Sequence, residues 1–227
     1  MEMREDQKKK NQRNFIITGA LFLAFILYTI AVRVVDVQAV GPENSNIGFA
    51  TINRAVFIFF GDNPFWYNVT EVTGILALLV AAVFGLLGVA QLVTKKSITK
   101  VDTDIIILGG FYVLVMIFYV LFEVFIINYR PVILEEGLEA SYPSSHSMLV
   151  FCIMITAIMQ FRSRISEKRV LLIAEIVSIV IISVTVLGRL VSGVHWFTDI
   201  LGGVLLGTAL VMLYYSAVEC MKYMRKK

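Results

Sequence analysis

The chain has 227 residues, 58% of them hydrophobic and 16% charged, with a formal net charge of +3. An average soluble domain is about half apolar and about a quarter charged, whereas here the apolar residues gather into long runs between short charged stretches. This excludes an ordinary soluble domain. No basic segment interleaved with aromatics lies outside the ends of the runs, which argues against nucleic acid as a partner.

The first segment, residues 1–13, is charged and reads as a short cytoplasmic tail. The apolar run behind it, Phe15 to Val32, is too long for the hydrophobic region of a signal peptide, and no small-residue cleavage site follows it closely. It is expected to be an uncleaved first span, 14–38. In the stretch 50–67, Phe57, Phe59, Phe60, Phe65 and Trp66 surround Gly61-Asp62-Asn63-Pro64, which interrupts any continuous helix. A short interfacial helix with its aromatics at headgroup depth is expected there. Asn68-Val69-Thr70 matches a glycosylation sequon, a pattern too common by chance to carry weight.

Further spans follow at 70–94, 105–128, 146–161, 170–188 and 197–219, each long enough or nearly so for the roughly 20 residues that cross a bilayer. The fourth is short at its apolar core and is expected to start earlier or to tilt little. Gly203 and Gly207, four apart in the last span, allow close approach of a neighbouring helix, read as packing inside the bundle rather than dimerisation. Cys152 and Cys220 sit within or at the end of apolar runs and read as packing residues, with neither disulfide nor metal spacing. With no internal repeat, the expected fold is all-α: one membrane domain, 1–227, a six-transmembrane-helix bundle with a short interfacial helix between spans one and two.

Orientation follows from the basic residues. Sixteen of the twenty lysines and arginines fall in the N-terminal segment, the loops after spans two and four, and the C-terminal tail. Six spans place all of these on one side, and the positive-inside rule makes that side cytoplasmic, with both termini. The exceptions are Arg33, Arg54, Arg130 and Arg189.

Both histidines of the chain, His146 and His195, are then expected at the outer surface, near Arg130, Arg189 and Asp199. Ionisable groups at membrane depth are costly and point to a functional site. His195 and Asp199 are four positions apart, so at a helix start they share a face. The carboxylate can then accept the proton of one ring nitrogen and leave the other free to attack. Arg130 and Arg189 offer planar forks suited to phosphate oxygens. Pro143-Ser144-Ser145-His146 reads as a turn entering a helix, whose free N–H groups favour an anion and place His146 to protonate a leaving alkoxide. Together these parts describe a metal-free phosphoryl-transfer site with no cofactor.

At these residues the sequence resembles the type 2 phosphatidic acid phosphatase, or lipid phosphate phosphatase, family, related to the vanadium-dependent haloperoxidases. Arg130-Pro131 matches the end of its first motif, Pro143-Ser144-Ser145-His146 its second with Ser145 in place of glycine, and Arg189, His195 and Asp199 its third. The resemblance runs over a motif-bearing core, 105–207. It implies His195 as a phosphohistidine-forming nucleophile, Asp199 as its orienting partner and His146 as general acid. It further implies that Arg130, Arg189, Ser144 and Ser145 bind the phosphoryl group. Two further positions depart from the pattern: Glu123 stands where the family has lysine, and Gly188 where it has serine. Glu123 either opposes phosphate binding or, seven residues before Arg130, holds that arginine or Arg189 in place. The loop acids Glu135, Glu136 and Glu139 read as a solvated face.

The expectation is a cell-membrane lipid phosphatase that opens at the outer leaflet and takes a phosphomonoester or diphosphate of the undecaprenyl diphosphate or phosphatidylglycerol phosphate type. A lipid phosphotransferase and a non-catalytic headgroup-binding or transport protein are the alternatives. The oligomeric state is not legible.

Overall fold

The computed structural model describes residues 2–134 and 137–225; Met1, Glu135, Glu136, Lys226 and Lys227 lie outside the described residues. Among the described residues the α-helices are α1 (Glu2–Val34), α2 (Ala50–Phe60), α3 (Pro64–Lys95), α4 (Thr103–Val124), α5 (Ser145–Arg164), α6 (Lys168–Val191) and α7 (Phe197–Arg225). All but α2 are long and apolar enough to cross a membrane, giving six candidate spans.

Two helices start earlier than hydropathy suggests. The charged segment 1–13 is expected as a tail, yet α1 is already helical there. Glu5 and Lys9 pair one turn apart at 3.0 Å, and Asn11, Asn14 and Thr18 are buried. Thr18 Oγ1 lies 3.1 Å from Ser216 Oγ, and Lys10 Nζ donates to Glu219 at 2.9 Å, so the start of α1 runs beside the end of α7. Both termini therefore share one end of the bundle. α3 begins at Pro64, where the proline that interrupts α2 takes a first-turn position needing no N–H. Asn63 caps that helix by accepting from Trp66 N at 3.3 Å.

Helices α5 and α7 form the centre. Within the most apolar stretch of each, 56% of residues are buried, against 11–22% for the other four spans. This accounts for the weak hydropathy of the fourth span: α5 faces protein rather than lipid and carries Thr156 and Gln160 fully inside. Because lipid is as apolar as leucine, such helices associate through close packing and interhelical hydrogen bonds. A Cβ on Gly203 would lie 2.6 Å from Ser144 O, and one on Gly207 would lie 3.0 Å from the Phe151 ring. The small-residue stripe thus seats α7 directly on α5, within the bundle as expected. Cys152 is buried at this seam, and both cysteines are free.

Candidate active site

The connection between α4 and α5 folds back on itself as a narrow antiparallel arm. Tyr129 pairs with Ala140, Arg130 N donates to Glu139 O at 3.1 Å, and Ser141 N donates to Asn128 O at 2.9 Å. Residues flanking an antiparallel pair on either side share a face. Asn128 thus sits across from Ser141, and Arg130 across from Glu139. Trp196 Nε1 ties this arm to the α6–α7 turn by donating to Tyr129 O at 2.8 Å. From the far side α2 braces the same turn. Buried Asn53 donates to Thr198 Oγ1 at 2.9 Å and accepts from Thr198 N at 3.1 Å. Gly193, at φ +71°, meets the backbone of Gly61, whose oxygen would lie 2.3 Å from any Cβ there, so a larger residue has no room.

His195 lies in this turn, 3% exposed. Its Nδ1 is 3.1 Å from the carbonyl oxygen of Ser141 and 3.0 Å from Ser141 Oγ. A carbonyl only accepts, so Nδ1 carries the proton. Burial, reinforced by the positive charges of Arg130, Arg189 and His146, pushes His195 well below the ordinary histidine range and keeps the ring neutral at pH 7. The lone pair is then on Nε2, which is buried and has no hydrogen-bond partner among the described residues.

The expected contact between Asp199 and the ring is not direct. His195 precedes the helix and Asp199 occupies its first turn, so a spacing of four does not place them one above the other. Asp199 Oδ2 accepts instead from Ser141 Oγ at 2.5 Å and from Trp196 N at 3.0 Å. Its Oδ1 accepts from Asn128 Nδ2 at 3.1 Å. The Trp196 bond is the backward arm of a capping box at the start of α7. Asp199 therefore reaches His195 through the Ser141 hydroxyl.

Arg189 is 0% exposed on α6. Its Nη2 donates to Glu71 Oε1 at 2.6 Å, and its guanidinium sits over the Tyr67 ring at 5.2 Å. Its Nε and Nη1 have no partner among the described residues. His146, in the first turn of α5, has Nε2 3.3 Å from the same Glu71 oxygen, while its buried Nδ1 is likewise without a partner. Arg130 Nε lies 3.0 Å from Glu139 Oε2, and its Nη1 is unpartnered.

Of the other sequence-expected residues, Ser144 is fully buried and caps α5, accepting from Ser147 N at 3.5 Å and from Ser147 Oγ at 3.1 Å. Ser145 begins α5 and is partly exposed. Glu123 is exposed in the last turn of α4. The arginine-holding role considered for it falls to Glu139 and Glu71. Glu139, expected on a solvated face, is instead an ion-pair partner with its side chain 27% exposed. Gly188 stands where a side chain does not fit: a Cβ would lie 2.6 Å from Thr70 Cγ2 and 3.2 Å from Trp66.

Six membrane-crossing helices define a multi-pass membrane protein, and the connections and helix ends at one side bring together the His195 imidazole and the Arg130 and Arg189 guanidiniums. The family model of the PAP2 superfamily matches residues 77–220, and the chain belongs to that superfamily. It is similar to sphingosine-1-phosphate phosphatase 2 of Homo sapiens, with 34% identity over 97 residues, 40% of this chain and 24% of that protein. The match thus spans about a quarter of that relative's length. The fold is also that of a transmembrane PAP2 type phosphatidylglycerolphosphate phosphatase from Bacillus subtilis, with a TM-score of 0.66 and 19% identity, covering 89% of this chain and 96% of that one.

Proposed function

We propose that this protein is a lipid phosphate phosphatase working through a phosphohistidine at His195. The observation that carries the reading is the state of His195: a neutral ring, its Nδ1 engaged with Ser141, its Nε2 lone pair buried and unpartnered. Unpartnered N–H groups of Arg130 and Arg189, and the unpartnered Nδ1 of His146, belong to the same end of the bundle. Guanidiniums with free N–H groups attract an anion and repel a metal cation, which supports a metal-independent reaction.

In the first step Nε2 of His195 forms a bond to phosphorus while the bond from phosphorus to the lipid oxygen breaks. His146 gives its proton to that oxygen, releasing the lipid alcohol or phosphate. The negative charge on the transferring group is met by Arg130 and Arg189. In the second step a water oxygen bonds to phosphorus, His146 recovers a proton from that water, and the phosphorus–nitrogen bond breaks to free inorganic phosphate.

The site lies at the end of the bundle opposite both termini. With most basic residues at the terminal end, the positive-inside rule puts the site at the outer leaflet. The substrate is a lipid phosphomonoester or diphosphate, of the phosphatidylglycerol phosphate or undecaprenyl diphosphate type. The names of the similar proteins, a phosphatidylglycerolphosphate phosphatase and a sphingosine-1-phosphate phosphatase, support a lipid phosphomonoester.

The test is phosphate release by detergent-solubilised protein from a panel of phospholipid monophosphates and polyprenyl diphosphates, beside His195→Ala. Release from at least one lipid that vanishes in the variant, persists in EDTA and is blocked by vanadate is expected. Release that the variant retains, or that EDTA abolishes and Mg²⁺ restores, contradicts the mechanism.

A further inference from the structure

Resting on the phosphatase reading, we propose that Glu71 is a positioning residue of this site: it holds His146 as proton donor to the leaving group and aims Arg189 at the phosphoryl oxygens. Glu71 belongs to none of the three motifs and precedes residues 77–220, the segment that matches the superfamily. It stands on α3, with Tyr67 and Gly74 one turn to either side on the same face. That face is shaped to the site. Tyr67 lies under the Arg189 guanidinium, and Gly74 leaves room for His146, whose Cδ2 would be 3.1 Å from any Cβ there.

A single oxygen, Oε1, joins the two groups, 2.6 Å from Arg189 Nη2 and 3.3 Å from His146 Nε2. Each therefore has one side fixed to Glu71 and the other side unengaged. Arg189 Nε and Nη1 and His146 Nδ1 are buried without partners among the described residues. His195 repeats the arrangement, with Nδ1 held and Nε2 unengaged. A rigid hold on one nitrogen fixes where the other points, which a proton donor and a phosphate clamp both require.

Stability gives only part of the reason for the residue. Arg189 is fully buried and Glu71 is 37% exposed, so the pair offsets the cost of a buried guanidinium, but it does not account for the second contact of the same oxygen, to His146. Its chemical value lies in charge. Glu71 is the negative group within hydrogen-bonding distance of His146, 3.3 Å from Nε2, and attracts the proton the ring carries when it acts as donor. As the bond from phosphorus to the lipid oxygen breaks, that proton passes from Nδ1 to the oxygen. The neutral ring remains hydrogen-bonded to Glu71, ready to take a proton from the attacking water.

The test uses leaving groups. Wild type, Glu71→Gln and Glu71→Ala are assayed in detergent on dioctanoyl phosphatidate, whose alkoxide must be protonated, and on p-nitrophenyl phosphate, whose phenolate leaves without a proton. Glu71→Ala is expected to lower kcat on the phosphatidate by about 100-fold, within the range for general acid catalysis, and on the aryl ester by less than about 10-fold. Glu71→Gln, whose amide oxygen still accepts from Arg189, is expected to recover part of the loss. Equal losses on both esters mean a merely structural role and overturn the proposal. Faster turnover with a lower KM also overturns it, since Glu71 would then be an anion competing with phosphate. Should Glu71→Ala fail to fold, Glu71→Gln carries the same comparison against wild type. A wild type active on neither ester nor on any lipid of the panel refutes the phosphatase reading itself, a result distinct from an active enzyme with no leaving-group effect.

Discussion

Replacing Ser141 by alanine isolates the link between Asp199 and the nucleophile. The hydroxyl donates to Asp199 Oδ2 at 2.5 Å and stands 3.0 Å from His195 Nδ1, so its loss breaks the chain joining carboxylate to ring. The Ser141 carbonyl remains 3.1 Å from Nδ1 and continues to fix the tautomer. Asp199 keeps the Asn128 and Trp196 bonds, so α7 stays capped. What disappears is one hydrogen bond to a charged group, worth about 1.5–3 kcal/mol. If all of it is felt as the ring turns positive at nitrogen during attack, kcat falls by roughly 10- to 150-fold with little change in KM. Asp199→Asn is expected to fall further, on the order of 10³-fold or more, by analogy with removal of the carboxylate from a serine protease triad. The decisive comparison is the double variant, assayed for kcat and KM on a soluble short-chain lipid phosphate. Because both changes act through one contact, Ser141→Ala/Asp199→Asn should be no slower than Asp199→Asn alone, within about twofold. Independent, multiplying losses would refute the serine link, as would a Ser141→Ala enzyme with wild-type kcat.

Three more outcomes follow from the geometry. Attack requires the unprotonated His195 ring, and burial with nearby positive charge moves its protonation below the ordinary value of 6.5. As pH falls through 6.5, kcat/KM should therefore hold level and decline only further down, and Arg130→Gln should move that decline to higher pH in a pH–rate profile. Gly188→Ser, which restores the residue usual in the family, should lower thermal stability in detergent by about 1–3 kcal/mol through overpacking against Thr70 and Trp66; an unchanged melting temperature contradicts the packing argument. Glu123→Lys should change kcat by less than about 10-fold, because Arg130 is held by Glu139, whereas Glu139→Gln should raise KM for the lipid phosphate by freeing that arginine, both read from steady-state kinetics.

Much of the fold is legible because bilayer crossing imposes a length and an apolarity that composition reveals directly. Boundaries fail where other forces take over. Pro64 reads as a breaker but serves as a helix start, and residues 2–13 read as a charged tail but continue α1 through polar contacts with α7. The motif residues of the site are legible because Arg130, His146, Arg189, His195 and Asp199 are costly types at predicted membrane depth. Their supporting groups are not. Ser141 is an ordinary loop hydroxyl, and Glu139 looks solvated until the backbone pairing of the 128–141 arm sets it across from Arg130. Glu71 carries a usable signal, a lone carboxylate in an apolar run. Placing the span start at 70 puts it at a boundary, where acids are common, and hides it. The four-residue spacing of His195 and Asp199 misleads for a related reason: helical facing applies only within a helix, and α7 begins at Phe197.

The central claim is that phosphate passes through His195, and rapid quenching tests it most directly. Wild-type protein mixed with a phosphorus-32-labelled lipid phosphate and quenched in alkaline detergent within milliseconds should carry acid-labile, base-stable label on the peptide containing residue 195. The label should be absent from His195→Ala. Turnover of the same lipid with no label on that peptide, or label that persists in His195→Ala, would contradict the account.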